Sequence, residues 1–305
     1  MTLQDHLATK PCPEIMPQPA RRAGAPGALV NAMSVDVEDY FQVQAFAGAI
    51  GRAEWDHYPC RVEANIERVL RLFGDRGVKA SFFTLGWIAE RYPAMVRTIV
   101  AEGHELASHG YAHVPVYAQG PDEFRADVRK TKRILEDIGQ VAVQGYRAAT
   151  FSIGAKNLWA LDVLAEEGYR YGSSIYPVKH DLYGMPDAPR FAYRPGKSGF
   201  IEIPMTTFPL FGRNLPCSGG GYFRLLPYAL SRWALARVNG REAQPCVFYF
   251  HPWEVDPGQP RVKRIPLKSR VRHYLNLARM EGRLARLLED FAWNRIDRIF
   301  LAEGN

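Results

Sequence analysis

From residue 28 onward the hydrophobic pattern switches repeatedly between two periods. Residues 28–35 form a short, mainly apolar run, which predicts a buried strand. Val62, Ile66, Val69, Leu70 and Phe73 then recur at helical spacing, and Gly74 and Gly77 stop that helix. Residues 79–84 predict a second strand, residues 87–102 a helix interrupted by Pro93, and residues 104–108 a third strand after Gly103. Pro121 and Asp122 open a helix carrying Phe124, Val128, Ile134, Leu135 and Ile138 on one side, ended by Gly139. A strand over 141–146, a helix over 156–167 and short strands at 169–171 and 200–204 come next. A helix over 225–238, a β-type run at 246–250, an amphipathic helix over 272–291 and a small strand at 299–301 complete the reading.

Repeated strand–helix units predict the α/β class, with a parallel sheet and right-handed crossovers. The sheet is either open with helices on both faces or closed into a barrel. In both arrangements ligands bind at the carboxyl ends of the strands. The polar residues that directly follow each strand are therefore expected to form one chemical set.

Asp36, Glu38 and Asp39 follow the first strand, and His109 and His113 follow the third. Arg147 follows the strand ending at Tyr146, and His251 and Glu254 follow the run ending at Phe250. Two histidines four apart after a strand can share one divalent metal. A carboxylate added to them leaves an open coordination position, as a catalytic zinc needs. Asp36 directly follows an apolar strand, where a carboxylate persists only if paired, hydrogen-bonded or metal-bound. One acid is expected to ligate the metal and one to act as base. Alternation puts Asp36 and Glu38 on the same side of an extended chain, and Asp39 reaches the metal only if the chain turns after Val37. His251, beside Pro252 and Trp253, suits proton transfer, and Arg147 can pin a carboxylate by a bidentate ion pair.

Composition refines this picture. The 305 residues are 47% hydrophobic and 23% charged, which excludes a disordered, collagen-like or coiled-coil chain. No apolar run is long enough for a spanning helix. The net charge of +7 is scattered. The basic residues Arg261, Lys263, Arg264, Lys268, Arg270 and Arg272 lack interleaved aromatics, which argues against nucleic acid and suits an acidic polymer, lipid headgroups or solvent. Cys12, Cys60, Cys217 and Cys246 form no C-x-x-C pair, so a cysteine-based zinc site is not expected. Residues 1–28 lack the apolar core of a signal peptide and read as a flexible lead segment. The expected location is cytoplasmic, or at a membrane face through partners.

With these residues on the page, the chain resembles the polysaccharide deacetylase family, the NodB-homology carbohydrate esterases, from about residue 30 to 255. Ser108-His109-Gly-Tyr-Ala-His113 is similar to that family's second motif. The stretch around Asp36 and Asp39 stands where the family has an aspartate pair, and Gly145-Tyr-Arg147-Ala-Ala-Thr-Phe151 resembles its third motif. Tyr249-Phe-His251-Pro-Trp-Glu-Val-Asp256 resembles its last motif. The wordings Asp-Val-Glu-Asp-Tyr-Phe and Phe-His-Pro-Trp-Glu resemble a subgroup from exopolysaccharide loci of bacteria with exosortase-type protein sorting. Three departures stand out. Val37 separates the acids, Ala149 stands where the family usually has proline, and Gly172 stands where it usually has an aspartate. If that aspartate tunes the catalytic histidine, its loss should lower the basicity of His251, with Asp181 or Glu254 as substitutes.

The resemblance implies a distorted (β/α) barrel of about seven parallel strands over residues 29–255. Residues 256–305 would be an extension packed on it. It implies a hydrolase that removes N-acetyl groups from hexosamine residues of a polysaccharide or oligosaccharide, in exopolysaccharide biosynthesis. A divalent metal, zinc by preference, would be held by His109, His113 and Glu38 or Asp39. Asp36 would be the base, Arg147 would hold it, and His251 would protonate the leaving amine. A backbone N–H near Tyr146 would face the oxyanion. Trp253, Tyr146, Tyr222 and Phe223 would wall the sugar site, and Ser218–Gly221 reads as a mobile loop beside it. Association with membrane-bound polysaccharide assembly machinery fits this role. Two rivals remain: a cyclic amide or ureide hydrolase on the same scaffold, and a glycan-binding homologue without turnover.

Overall fold

The computed structural model describes residues 14–15, 29–181 and 183–301. Its strands are β1 (Glu14–Ile15), β2 (Val30–Val37), β3 (Ser81–Thr84), β4 (Glu105–Ser108), β5 (Gly145–Tyr146) and β6 (Tyr171–Gly172). They continue as β7 (Tyr193–Arg194), β8 (Ile201–Glu202), β9 (Thr207–Leu210), β10 (Arg213–Pro216), β11 (Val247–Phe250) and β12 (Ala292–Asn294). The main sheet runs β1-β7-β8-β6-β5-β4-β3-β2-β11, with β12 also on β2. Neighbours from β8 to β11 are all parallel, and together they curl into a half-barrel. The fold is therefore mixed α/β, as the alternating pattern predicts. β9 and β10 form a separate hairpin.

Burial explains the strands. Ala32, Met33, Val35 and Val37 of β2 and Phe82 and Phe83 of β3 are fully enclosed, as a parallel sheet covered by helices requires. The helix Val62–Gly74 buries Val62, Ile66, Val69, Leu70 and Phe73, the residues read at helical spacing.

Three elements differ from the sequence reading. The helix expected over 87–102 is two helices, Gly86–Arg91 and Pro93–Ala101, because Pro93 has no N–H to continue the first and its fixed φ suits the start of the second. The helix expected over 272–291 is also two, Leu267–Tyr274 and Leu277–Asp290, separated at Asn276 with φ 54°. The strand expected at 299–301 is instead the helix Ile296–Phe300, because Ile296, Ile299 and Phe300 share a helical face that is buried.

The eight-residue β2 serves both ends of the chain. Its Ser34–Val37 half pairs with β3, and its Val30–Ala32 half pairs with β12. Residues 256–301 thus contribute a strand to the main sheet as well as packing against it. A buried polar cluster fixes this junction. The Ile296 N–H donates to Ser81 Oγ at 2.8 Å, the Asp297 N–H to Glu105 Oε2 at 3.2 Å and Tyr171 Oη to Glu105 Oε1 at 2.9 Å.

The lead segment 1–28 lies outside the described residues apart from Glu14–Ile15, whose backbone pairs antiparallel with Tyr193–Arg194. Among the described residues Cys60, Cys217 and Cys246 are free, and no helix is long and apolar enough to cross a membrane.

Candidate active site

Asp36, Glu38, His109, His113, His251 and Trp253 line one cavity of about 310 Å³ at the carboxyl ends of β2, β4 and β11. The period of a strand explains the first pair. Asp36 and Glu38 are two apart and face the cavity, whereas Asp39 faces away. The Asp39 carboxylate accepts from the N–H groups of Tyr40 at 2.8 Å, Arg61 at 2.5 Å and Val62 at 2.9 Å. It thereby caps the helix Val62–Gly74, and the candidate metal-holding group contains Glu38 and not Asp39.

Glu38, His109 and His113 are all buried, and one ligand atom from each lies within 4.8 Å of the others. His109 Nδ1 is 2.8 Å from the Arg147 carbonyl. A carbonyl only accepts, so Nδ1 carries the proton and Nε2 keeps its lone pair for a ligand. Burial pulls the His109 pKa down to about 4, which keeps the ring neutral. Glu38 Oε2 lies 3.0 Å from His113 Nε2 without a hydrogen bond. Burial pushes the Glu38 carboxyl up, but the neighbouring His113 and His251 outweigh it and hold the pKa at about 2. A buried, ionised carboxylate and imidazole nitrogens gathered without mutual hydrogen bonds fit a shared cation. The turn that carries the histidines places Gly110 at φ 74° and His113 at φ 50°. Arg52 donates to the carbonyls of Ala112 and His113 at 2.6 and 2.8 Å and pins that turn.

Arg147 is fully buried. Its Nη1 donates to Asp36 Oδ1 at 2.6 Å and to Ser34 Oγ at 2.9 Å, and its remaining donors go to the Ser173 carbonyl and Oγ, both at 3.0 Å. The contact with Asp36 is a single one, not the expected bidentate pair, because Ser173, directly after β6, takes the other half of the fork.

His251 Nδ1 is 2.8 Å from Glu254 Oε1, and Nε2 is 3.5 Å from Glu38 Oε1. Burial opposes a charge on the ring, but Glu38 and Glu254 outweigh it and lift the pKa to about 9. Glu254 is itself held at about 2, against the effect of burial, by Arg224 and His251. Arg224 Nε donates to Glu254 Oε2 at 2.6 Å, and its other nitrogens hold the carbonyls of Arg272, His273 and Leu275. Glu254 thus stands directly behind His251. Asp181 instead pairs with Lys268 and Arg272. Gly172 has a different reason to lack a side chain, since a Cβ there would lie 2.4 Å from Glu202 Oε2.

The expected sugar walls divide. Tyr222 and Trp253 line the cavity, and Trp253 stacks on His251 with ring centroids 5.1 Å apart. Tyr146 does not line it: its ring packs edge-on against Phe124 and Tyr169 in the core. Phe223 is buried against Phe248 and Tyr228. Ser218–Gly221 is not a free loop beside the cleft. Ser218, Gly219 and Gly220 are buried, and a Cβ on Gly220 would fall 2.1 Å from Glu254 Oε1. Arg52, Arg224 and the buried Glu202 were not singled out by sequence, because each finds its partners far away in the chain.

The family described as "Polysaccharide deacetylase" matches residues 54–172, and the "Domain of unknown function (DUF3473)" matches 173–301. Over residues 54–172 the chain is thus similar to the polysaccharide deacetylase family. The chain is 36% identical over 75 residues to the peptidoglycan-N-acetylglucosamine deacetylase of Bacillus cereus, a match covering 25% of this chain and 27% of that protein. It is 29% identical over 136 residues to the chitooligosaccharide deacetylase of Rhizobium leguminosarum bv. trifolii, covering 44% and 56%. The chain therefore spans between about a quarter and just over half of the length of these two curated relatives. In fold it is similar to the crystal structure of a candidate polysaccharide deacetylase from Mycobacterium smegmatis, with TM-score 0.60 and 19% identity over 94% of this chain and 93% of that one. The two family matches meet between Gly172 and Ser173, inside the sheet.

Proposed function

We propose that the protein is a metal-dependent hydrolase that removes N-acetyl groups from hexosamine residues of a polysaccharide. The observation that carries this reading is the buried Glu38–His109–His113 trio, with the Arg147-held Asp36 and the Glu254-held His251 lining the same cavity. The relatives' names, peptidoglycan and chitooligosaccharide deacetylases, support the substrate class.

In this reading Glu38, His109 and His113 hold a divalent metal, zinc by the donor set. When bound, such an ion polarises the amide carbonyl and makes water nucleophilic at neutral pH. Asp36 accepts the proton of the attacking water, with Arg147 fixing one carboxylate oxygen so that the other stays directed at its task. His251 donates from Nε2 to the departing amine as the C–N bond breaks, and acetate leaves. Glu254 keeps the His251 proton on Nδ1 and supports the charge of the imidazolium. Trp253 holds the plane of that ring, and Tyr222 offers a face to the sugar. The subgroup wording further supports a role in exopolysaccharide biosynthesis at the cytoplasmic side, beside membrane-bound assembly machinery.

The test is acetate release from N-acetylhexosamine oligomers by the purified protein, before and after chelation and zinc return. Chelation should abolish release and zinc should restore it. Full release in the presence of chelator sinks the metal-dependent reading. Bound metal with no release from any N-acetylated glycan favours the glycan-binding rival.

A further inference from the structure

The helix Leu267–Tyr274 has an inner and an outer side with different chemistry. Ser269, Arg272 and His273 line the active-site cavity, so the helix is one of its walls. Leu267 and Val271 lie one turn apart on the side away from the cavity, and they are 75% and 51% exposed. Leu225 is 56% exposed, lines the cavity and belongs to the helix Gly220–Leu225 that packs against this one. Leu225 at the cavity and Leu267 and Val271 on the outer side of its wall helix thus all stand in solvent.

Their surroundings are cationic. Arg261, Lys263, Arg264, Lys268, Arg270 and Arg272 are all exposed, and residues 257–274 contain no acid. The neighbouring Asp181 pairs with Lys268 and Arg272, and Arg261 lies over the Tyr274 ring. Among the described residues Lys263, Arg264 and Arg270 make no ion pair, so their charge is available to a partner.

Aliphatic residues flanked by unpaired cations match the boundary between lipid headgroups and acyl chains. An acidic glycan would use the cations but would gain nothing from Leu267 and Val271, since sugars bind through hydrogen bonds and flat aromatic faces. We propose that this face docks on the surface of an anionic lipid bilayer. Leu225, Leu267 and Val271 enter the headgroup layer, and the cations from 261 to 270 lie among lipid phosphates. Docking this way sets a wall of the cavity against the membrane, so a glycan held at that surface lies beside the site.

The experiment is co-sedimentation of the full chain with vesicles of phosphatidylcholine alone or mixed with phosphatidylglycerol. Wild type is expected to partition at least about 10-fold more strongly onto the anionic vesicles and to be released by about 0.5 M salt. Leu267→Glu/Val271→Glu and, separately, Lys263→Glu/Arg264→Glu are each expected to lose about 10-fold of that partition. The second pair decides if the first fails to fold. None of the four residues lines the cavity, so acetate release from soluble oligomers should be unchanged in both variants. Vesicle binding is read without turnover, so the docking and the proposed reaction fail separately. Equal sedimentation with both vesicle types overturns the proposal. So does binding to alginate but not vesicles, or a wild-type dimer that Leu267→Glu/Val271→Glu dissociates.

Discussion

Glu254 Oε1 lies 2.8 Å from His251 Nδ1, three residues earlier in the chain, while Arg224 Nε donates to the other carboxylate oxygen at 2.6 Å. Arg224 and Glu254 are buried and His251 is partly exposed, and the three form a chain of paired charges ending at the cavity. The short turn Pro252–Val255 makes this possible by folding residue 254 back beneath residue 251.

Glu254→Gln should leave the fold intact and weaken the charge that supports imidazolium. The His251 pKa, raised to about 9, should fall. A general acid works only while protonated, so the alkaline limb of the rate profile should move to lower pH. The maximal rate should drop by roughly 10–100-fold. Glu254→Ala removes the partner of buried Arg224 as well and should cost about 3–5 kcal/mol in chemical denaturation. An unmoved alkaline limb in the glutamine variant would falsify the tuning role.

His109→Ala and His113→Ala should each reduce bound metal, measured by elemental analysis, from near one equivalent to a small fraction. Each removes one of three ligands from a buried site. Retention of a full equivalent in the double variant puts the metal elsewhere.

Asp36→Asn should separate metal binding from turnover. The metal should remain, because Asp36 pairs with Arg147 and not with the trio. The rate should fall by about 10²–10⁴-fold, the usual span for a lost general base. Unchanged turnover reassigns the base.

The C-terminal junction should be sensitive to pH. Burial, reinforced by Asp297, raises the Glu105 pKa to about 8 from an ordinary 4.5. The folded state therefore holds a proton that the unfolded chain has released. Stability from this group is complete below about 4.5 and is lost as pH rises through 8. Glu105→Gln keeps the neutral form, so its unfolding free energy should decline less over that window, by on the order of 1–3 kcal/mol. Parallel curves for the two proteins would remove Glu105 as the cause.

Gly172→Asp restores the residue type that the family usually carries, yet it should destabilise by about 1–3 kcal/mol and gain no activity. The new side chain would meet Glu202 Oε2, which already occupies that space. A faster, equally stable variant would show that Glu254 has not taken over the tuning of His251.

The order of elements, the α/β class and the strand-end positions of Asp36, Glu38, His109, His113, Arg147 and His251 were legible in the chain itself. Each depends on local period and on the rule that parallel strands point their ends at one face. Asp36 and Glu38 could be put on one side for the same reason. What lay beyond reach were partners chosen across the fold. Whether Asp39 bends toward the cavity or caps the helix at Val62 depends on where Arg61 and Val62 arrive, 22 and 23 residues later. Tyr146, at the end of a strand, and Tyr222, in the helix Gly220–Leu225, both read as sugar walls, and only packing buries one and opens the other. Glu254 rather than Asp181 backs His251 because Arg224, thirty residues away, neutralises it there. Local periodicity acts through neighbours along the backbone, whereas hydrogen-bond choice and burial are decided by distances in space.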